Sequence, residues 1–378
     1  MKNPIKRHLE SKIIENLWKE KVIIVYGARQ VGKTTLVKKI LAKYEDISLY
    51  LNCDEPDVRE ALANKTSTEL KGLIGKKTLV VIDEAQRVMN IGLSLKLLID
   101  NFPEIQIIAT GSSSFDLSNK IKEPLTGRKY EFYLYPLSVS ELSDQCSALE
   151  LNRILEQRMV YGMYPEIVNK SNEVAETDLR NLANSYLFKD VLQYQNIKNP
   201  EILEKLLQAL ALQIGNEVSY NELGGLLGID KATVASYIRI LEQAFIVFRL
   251  PPLSRNIRSE LKKLRKIYFY DTGMRNALIN NLNPLSLRND TGALWENFLI
   301  SERKKQNHYS DNFVNSYFWR THQQQEIDYI EEKNSSFIAS EFKWGKKKAL
   351  FPKIFLENYK NATTQLVNRD NWMDFILG

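Results

Sequence analysis

Residues Gly27 to Thr35 read GARQVGKTT and follow the apolar run KVIIVYG. A glycine, four intervening residues, then Gly-Lys and a hydroxyl residue form a loop whose backbone N–H groups can wrap a phosphate. The helix expected to start here turns its positive end toward the same anion. The expected binding set is Gly27, Ala28, Arg29, Gln30, Val31, Gly32, Lys33, Thr34 and Thr35. Lys33 is expected at the β- and γ-phosphates of ATP, and the Thr34 hydroxyl on Mg²⁺.

A second run, TLVVIDEAQRV, ends an apolar strand in Asp83 and Glu84. An Asp at a strand's C-terminal end can hold the Mg²⁺ shell, and the following Glu can deprotonate an attacking water. A third run ends in ATGSSS, where Thr110 or Ser112 is a candidate γ-phosphate sensor. Such residues also end strands for reasons of turn geometry alone. In LTGRKYEF, Arg128 reads either as an arginine finger, in cis or toward a neighbour, or as a surface ion-pair residue.

The tail carries another constellation. Asp328 closes a short apolar strand, and Glu341-Phe342-Lys343 closes the next. Adjacent strands would bring Asp328 and Glu341 together, and strand alternation puts Glu341 and Lys343 on one face. Two carboxylates could share a divalent metal beside an ammonium, a set suited to phosphodiester hydrolysis. The pattern is degenerate, and a solvated sheet face of alternating charge looks the same. The lysine-rich WGKKKALFPK follows it.

Elements must position these residues. KVIIVYG, DISLYLNCD, TLVVIDEA, IQIIATGSS and YEFYLYPL are short apolar runs alternating with helical signals, as in a parallel sheet covered on both faces. From about 138 to 214 helical spacing dominates. In EILEKLLQALALQIG, Ile202, Leu203, Leu206, Leu207, Leu210 and Ile214 share a face. The last hundred or so residues return to a mixed pattern.

The chain has 378 residues, 44% of them hydrophobic, enough for two to four domains with real cores. No apolar run is long enough to cross a bilayer, and the first residues do not read as a signal peptide. Two cysteines, Cys53 and Cys146, argue against a disulfide framework and fit a reducing cytoplasm. Three histidines without ligand spacing argue against a histidine-built metal site. The net charge of +6 permits nucleic-acid binding.

Residues 219–250 predict helix, tight turn, helix and strand. Leu223, Leu226, Leu227 and Ile229 are expected inside, followed by Val234, Ile238 and Leu241. Lys231, Thr233, Ser236, Tyr237 and Arg239 are the expected exposed face, suited to a DNA major groove or to a protein partner. RNIRSELKKLRK, 255–266, carries six basic residues and one acid and could neutralise phosphates.

With GARQVGKTT, VVIDEAQRV, ATGSSS, LTGRKYEFYLYPLS, YGMYPEIV, YDTGMRNALI and GALWENFLISE in this order, the chain resembles the archaeal and bacterial AAA+-type ATPases that carry a DUF4143 domain. The resemblance covers nearly the whole chain. It implies an α/β fold with a P-loop sheet of order 5-1-4-3-2 and domains at 1–145 (ATPase), 146–200 (helical lid), 201–270 (winged helix) and 271–378 (nuclease-like). The tail pattern is similar to the PD-(D/E)xK nucleases, although Glu326-Ile327-Asp328 lacks their Pro-Asp pair. In that family a Glu on the preceding helix often joins the metal set, which implies Glu296 beside Asp328, Glu341 and Lys343. The expectation is a cytoplasmic, DNA-associated ATPase using ATP and Mg²⁺, with a homo-oligomer compatible with it. The alternative is a nucleotide-dependent switch whose C-terminal half binds protein partners.

Overall fold

A computed structural model describes residues 5–111, 121, 123–186, 199–253, 265–321, 323–345 and 348–378. The chain divides into two compact units, 2–136 with 243–245, and 137–242 with 246–378.

In the first unit, five strands form one parallel sheet: β1 (Val22–Tyr26), β2 (Ser48–Asn52), β3 (Leu79–Asp83), β4 (Gln106–Gly111) and β5 (Lys129–Tyr133). Their order is β2-β3-β4-β1-β5, the order the resemblance implied. Every residue of β1, β3 and β4 is buried, which explains their largely apolar composition. Helix Lys33–Leu41 buries Leu36, Val37, Ile40 and Leu41. Pairing of Asn52 with Asp83 and of Tyr26 with Gly111 aligns the C-terminal ends of the strands along one edge. In open parallel sheets this edge is where ligands bind.

The second unit begins with helices, among them Ala148–Tyr161, Asn172–Tyr186 and Pro200–Leu212. The residues 146–186 of the expected lid lie in this unit, and 187–198 lie outside the described residues. Helices Tyr220–Leu227 and Lys231–Gln243 lie in the chain between β6 (Glu217–Val218) and β7 (Val247–Leu250), which form an antiparallel sheet with β8 (Arg265–Phe269) in order β6-β8-β7. Two expectations fail here. Tyr237 is only 5% exposed, because it shares a helix face with Val234, Ile238 and Leu241. Leu226 is 69% exposed, because the helix buries its Tyr220–Leu223–Gly224 face.

The C-terminal sheet has order β12-β11-β10-β9, with β9 Asn315–Arg320, β10 Glu326–Lys333, β11 Ser336–Phe342 and β12 Ala362–Val367. One core holds Trp319, Ile327, Ile330, Ala339 and Phe355. Another joins Trp295 and Phe298 of helix Thr291–Tyr309 to Trp372 of helix Trp372–Leu377. Arg303 on the long helix donates to both Glu331 carboxylate oxygens of β10, at 2.9 and 2.8 Å. The sheets are joined where Phe318 N–H donates to Pro251 O at 3.0 Å and Leu253 N–H to Phe318 O at 2.7 Å.

Candidate functional site

The GARQVGKTT loop leaves β1 at the sheet's C-terminal edge. A Cβ on Gly27 would stand 2.2 Å from Leu134 O, so only glycine fits. Gly32 adopts φ +97°, the left-handed region, at the start of helix Lys33–Leu41. Lys33 is 5% exposed, and its Nζ donates to Gly27 O and Ala28 O at 2.8 and 2.9 Å, which lays the ammonium along the loop.

Asp83, ending β3, gathers three hydroxyls. Oδ2 accepts from Thr34 Oγ1 at 2.7 Å and from Tyr50 Oη at 2.6 Å, and Oδ1 accepts from Thr110 Oγ1. Burial, then the bond to Asp83, raises the Tyr50 phenol above its ordinary pKa. Burial, with Asp83 close by, pushes the Cys53 thiol up to about 12. Glu84 takes a left-handed φ of 54°. Its N–H donates to Thr110 Oγ1 at 3.1 Å, and its Oε2 accepts from Gln86 Nε2 at 2.6 Å. Lys33, Thr34, Asp83, Glu84 and Thr110 thus share one edge, and Ser112 lies outside the described residues. The cradle that a Cβ would fill, the buried ammonium and the adjoining hydroxyl and carboxylate fit a Mg²⁺-bound phosphate chain.

Two supports carried no sequence signal. Arg7 donates to Val31 O through Nη1 and to Tyr135 O through Nη2, both at 2.6 Å, clamping the loop from behind. Glu10, on helix His8–Glu15, pairs with Lys39 and Lys43 at 2.8 and 2.7 Å. Burial works to raise the Glu10 carboxyl, yet those two ammoniums hold it below its ordinary value.

Arg128 is not brought to this edge. Val22 N–H donates to Arg128 O at 2.9 Å, so Arg128 sits where β1 begins. A strand rises ~3.3 Å per residue, so the loop after β1 is roughly 16 Å away. Its guanidinium is paired with Asp100 at 2.6 Å, which corrects the finger in cis in favour of the surface ion pair.

The second candidate lies in the C-terminal sheet. Trp319 pairs with Ile327 but Tyr317 with Ile330, so Asp328 and Tyr329 together oppose Phe318 in a bulge. Phe342 N–H donates to Asp328 Oδ2 at 2.8 Å, and Lys343 Nζ to Glu341 Oε1 at 2.7 Å. Lys266, expected among the phosphate-neutralising residues, turns inward instead. Its side chain is 1% exposed and its Nζ lies 2.9 Å from Glu296 Oε1 and pairs with Glu326 Oε1. Tyr268 Oη also donates to Glu296 Oε1. Residues 254–264 of the basic stretch lie outside the described residues.

The electrostatics follow from this packing. Burial pushes the Glu296 carboxyl up to about 7, with Lys266 pulling it down and Asp328 adding to the rise. Burial likewise raises Asp328 against the pull of Lys266, and raises Glu341 with help from the Asp328 charge. Burial disfavours the Lys266 ammonium, but Glu296, Glu326 and Asp328 outweigh it and raise its pKa. The carboxylates of the expected metal set, Glu296, Asp328 and Glu341, are engaged within the chain. Each of these carboxylates already accepts from a cation or N–H of the chain itself. Among the described residues no group of three or more His, Cys, Asp or Glu side chains could hold a metal ion.

Comparison with known proteins agrees with the first unit. Residues 19–143 match the family model described as an AAA domain. Residues 291–372 match a domain of unknown function, DUF4143, and 152–285 match another, DUF8612. An uncharacterized protein of Mycobacterium tuberculosis is 26% identical over 330 residues, covering 86% of this chain and 71% of its own. One of Methanocaldococcus jannaschii is 26% identical over 321 residues, covering 80% and 69%. The crystal structure of Cdc6p from Pyrobaculum aerophilum aligns at TM-score 0.32 and 13% identity, over 75% of this chain and 95% of that one, too distant a likeness to carry an argument. Among the described residues no helix is long and apolar enough to cross a membrane.

Proposed function

This chain joins an AAA domain to a DUF4143 domain, and from that premise we propose that it binds and hydrolyses ATP with Mg²⁺. The observation that carries the reading is the convergence of Lys33, Thr34, Asp83 and Glu84 on one sheet edge, with Thr34 bonded to Asp83 at 2.7 Å. Lys33 and the N–H groups from Gly27 to Thr35 would hold the phosphates. Thr34 and Asp83 would hold Mg²⁺. When bound, that ion supplies charge neutralisation across the β- and γ-phosphates. Glu84 would take the proton of the attacking water, and Gln86 orients its carboxylate through the 2.6 Å bond. Thr110 supports both acids and suits γ-phosphate sensing. Phosphate release that needs Mg²⁺ and vanishes in Lys33→Ala is expected, and no release from the wild type under any divalent condition would overturn the reading.

DNA association is the finer part of the proposal. The exposed Lys231, Ser236 and Arg239 on the second helix of the helix–turn–helix segment support it. Fluorescence anisotropy on duplex DNA tests it: binding should weaken steeply with salt and fall in Lys231→Ala/Arg239→Ala.

A second reading, a switch whose C-terminal half grips a protein partner, is favoured by one observation. The ion pair of Lys266 with Glu296 fills the carboxylate cluster and speaks against metal-dependent cleavage. Absence of DNA binding at low salt, with and without nucleotide, would favour this switch.

A further inference from the structure

The residue that the site's apparent chemistry leaves unused is Lys266. Its place is not adjustable. It lies on β8, the central strand of its sheet, paired with Glu217 on one side and Leu250 on the other. From there its ammonium reaches Glu296 on the long helix and Glu326 on β10, and lies 5.5 Å from the centre of the Phe318 ring. Phe318 is the residue opposite the bulge that carries Asp328. Arg320 flanks the cluster, 3.6 Å from Glu326 and 3.5 Å from Glu217. A buried ammonium persists only where opposing charge and hydrogen-bond acceptors meet it, and a buried carboxylate cluster needs a cation for the same reason. Each supplies the other here. A divalent ion entering between these carboxylates would face a fixed positive charge in a site of low polarisability. The Phe342 N–H on Asp328 Oδ2 and the Lys343 ammonium on Glu341 Oε1 already engage one oxygen of each of those two carboxylates.

We propose that Lys266 is the resident cation of the Glu296–Glu326–Asp328 cluster, so that the tail takes no divalent metal at Asp328 and Glu341 and performs no metal-dependent phosphodiester cleavage. The inference is independent of the ATP site. A nuclease-like carboxylate set is kept here as an internal salt cluster that ties β8, the long helix and β10 together.

The test is calorimetric titration of Mn²⁺ into the full-length chain without nucleotide, in an Asp83→Asn background that removes the ATP-site carboxylate. With Lys266 intact, no saturable isotherm is expected, and millimolar Mn²⁺ should leave the unfolding midpoint unchanged. Lys266→Met should gain a saturable Mn²⁺ isotherm that adding Asp328→Asn abolishes. A saturable isotherm with Lys266 intact, lost on Asp328→Asn or Glu341→Gln, would overturn the proposal. A folded Lys266→Met chain without any Mn²⁺ isotherm would overturn the role given to the ammonium. If Lys266→Met does not fold, the comparison with Lys266 intact still decides, because it needs only the Asp328→Asn and Glu341→Gln variants.

Discussion

Thr34 Oγ1 donates to Asp83 Oδ2 at 2.7 Å, across 49 residues of sequence, and so fastens the phosphate loop that follows β1 to the end of β3, two strands away in the sheet. Tyr50 shares the same carboxylate oxygen at 2.6 Å. Both hydroxyls point at the atom expected to hold Mg²⁺. Asp83→Asn should therefore bring ATP affinity measured with Mg²⁺ down to the value measured in chelator, while leaving the chelator value itself nearly unchanged. Titration with a fluorescent ATP analogue, with and without Mg²⁺, checks this.

Arg7 should matter although it touches no substrate atom. Its fork spans Val31 O and Tyr135 O, both buried carbonyls. Hydrogen bonds from a charged donor contribute about 1.5–3 kcal/mol each, so Arg7→Ala should lower stability by a few kcal/mol and weaken ATP binding roughly tenfold. Arg7→Lys should rescue little, since a single ammonium cannot reproduce a planar fork. Thermal unfolding and nucleotide titration of the two variants separate the effects.

Asp290 gives the second unit an acid limb. Burial pushes its carboxyl up, but Arg288 and Arg275, at 2.8 and 2.5 Å, win and hold it at about 2. A depressed folded pKa means stability that is present above the ordinary value of 3.8 and lost as pH falls toward 2. The shift corresponds to about 2 kcal/mol. Asp290→Asn should lose that stability at neutral pH and show a flatter decline between pH 4 and 2, as read from denaturant midpoints.

Much of this molecule was legible because the chemistry was local. A phosphate loop is contiguous, and the five apolar runs that mark the first sheet are each a single strand. Their alternation with helices indicated a parallel sheet, whereas their order came from family resemblance. What escaped the sequence depends on distant partners. Arg7 is bonded to carbonyls, which every residue has, so no pattern announces it. Lys266 stands in a run of basic residues, and only the fold shows that its partners lie 30 and 60 positions later. Of the two readings of Arg128, only the fold selects the surface ion pair over a finger in cis. In a parallel sheet the start of a strand lies at the edge opposite the phosphates, whatever motif surrounds it. Tyr237 was misjudged because a phenol reads as polar until its ring completes an apolar helix face.

The central claim is that Glu84 acts on an ATP that Lys33, Thr34 and Asp83 have already bound. Single-turnover hydrolysis of prebound ATP, compared between the wild type and Glu84→Gln, tests it most directly. The account predicts unchanged ATP affinity and a hydrolysis rate lower by ~10²–10⁴-fold, the usual contribution of a positioned general base. Equal rates in the two proteins would contradict it.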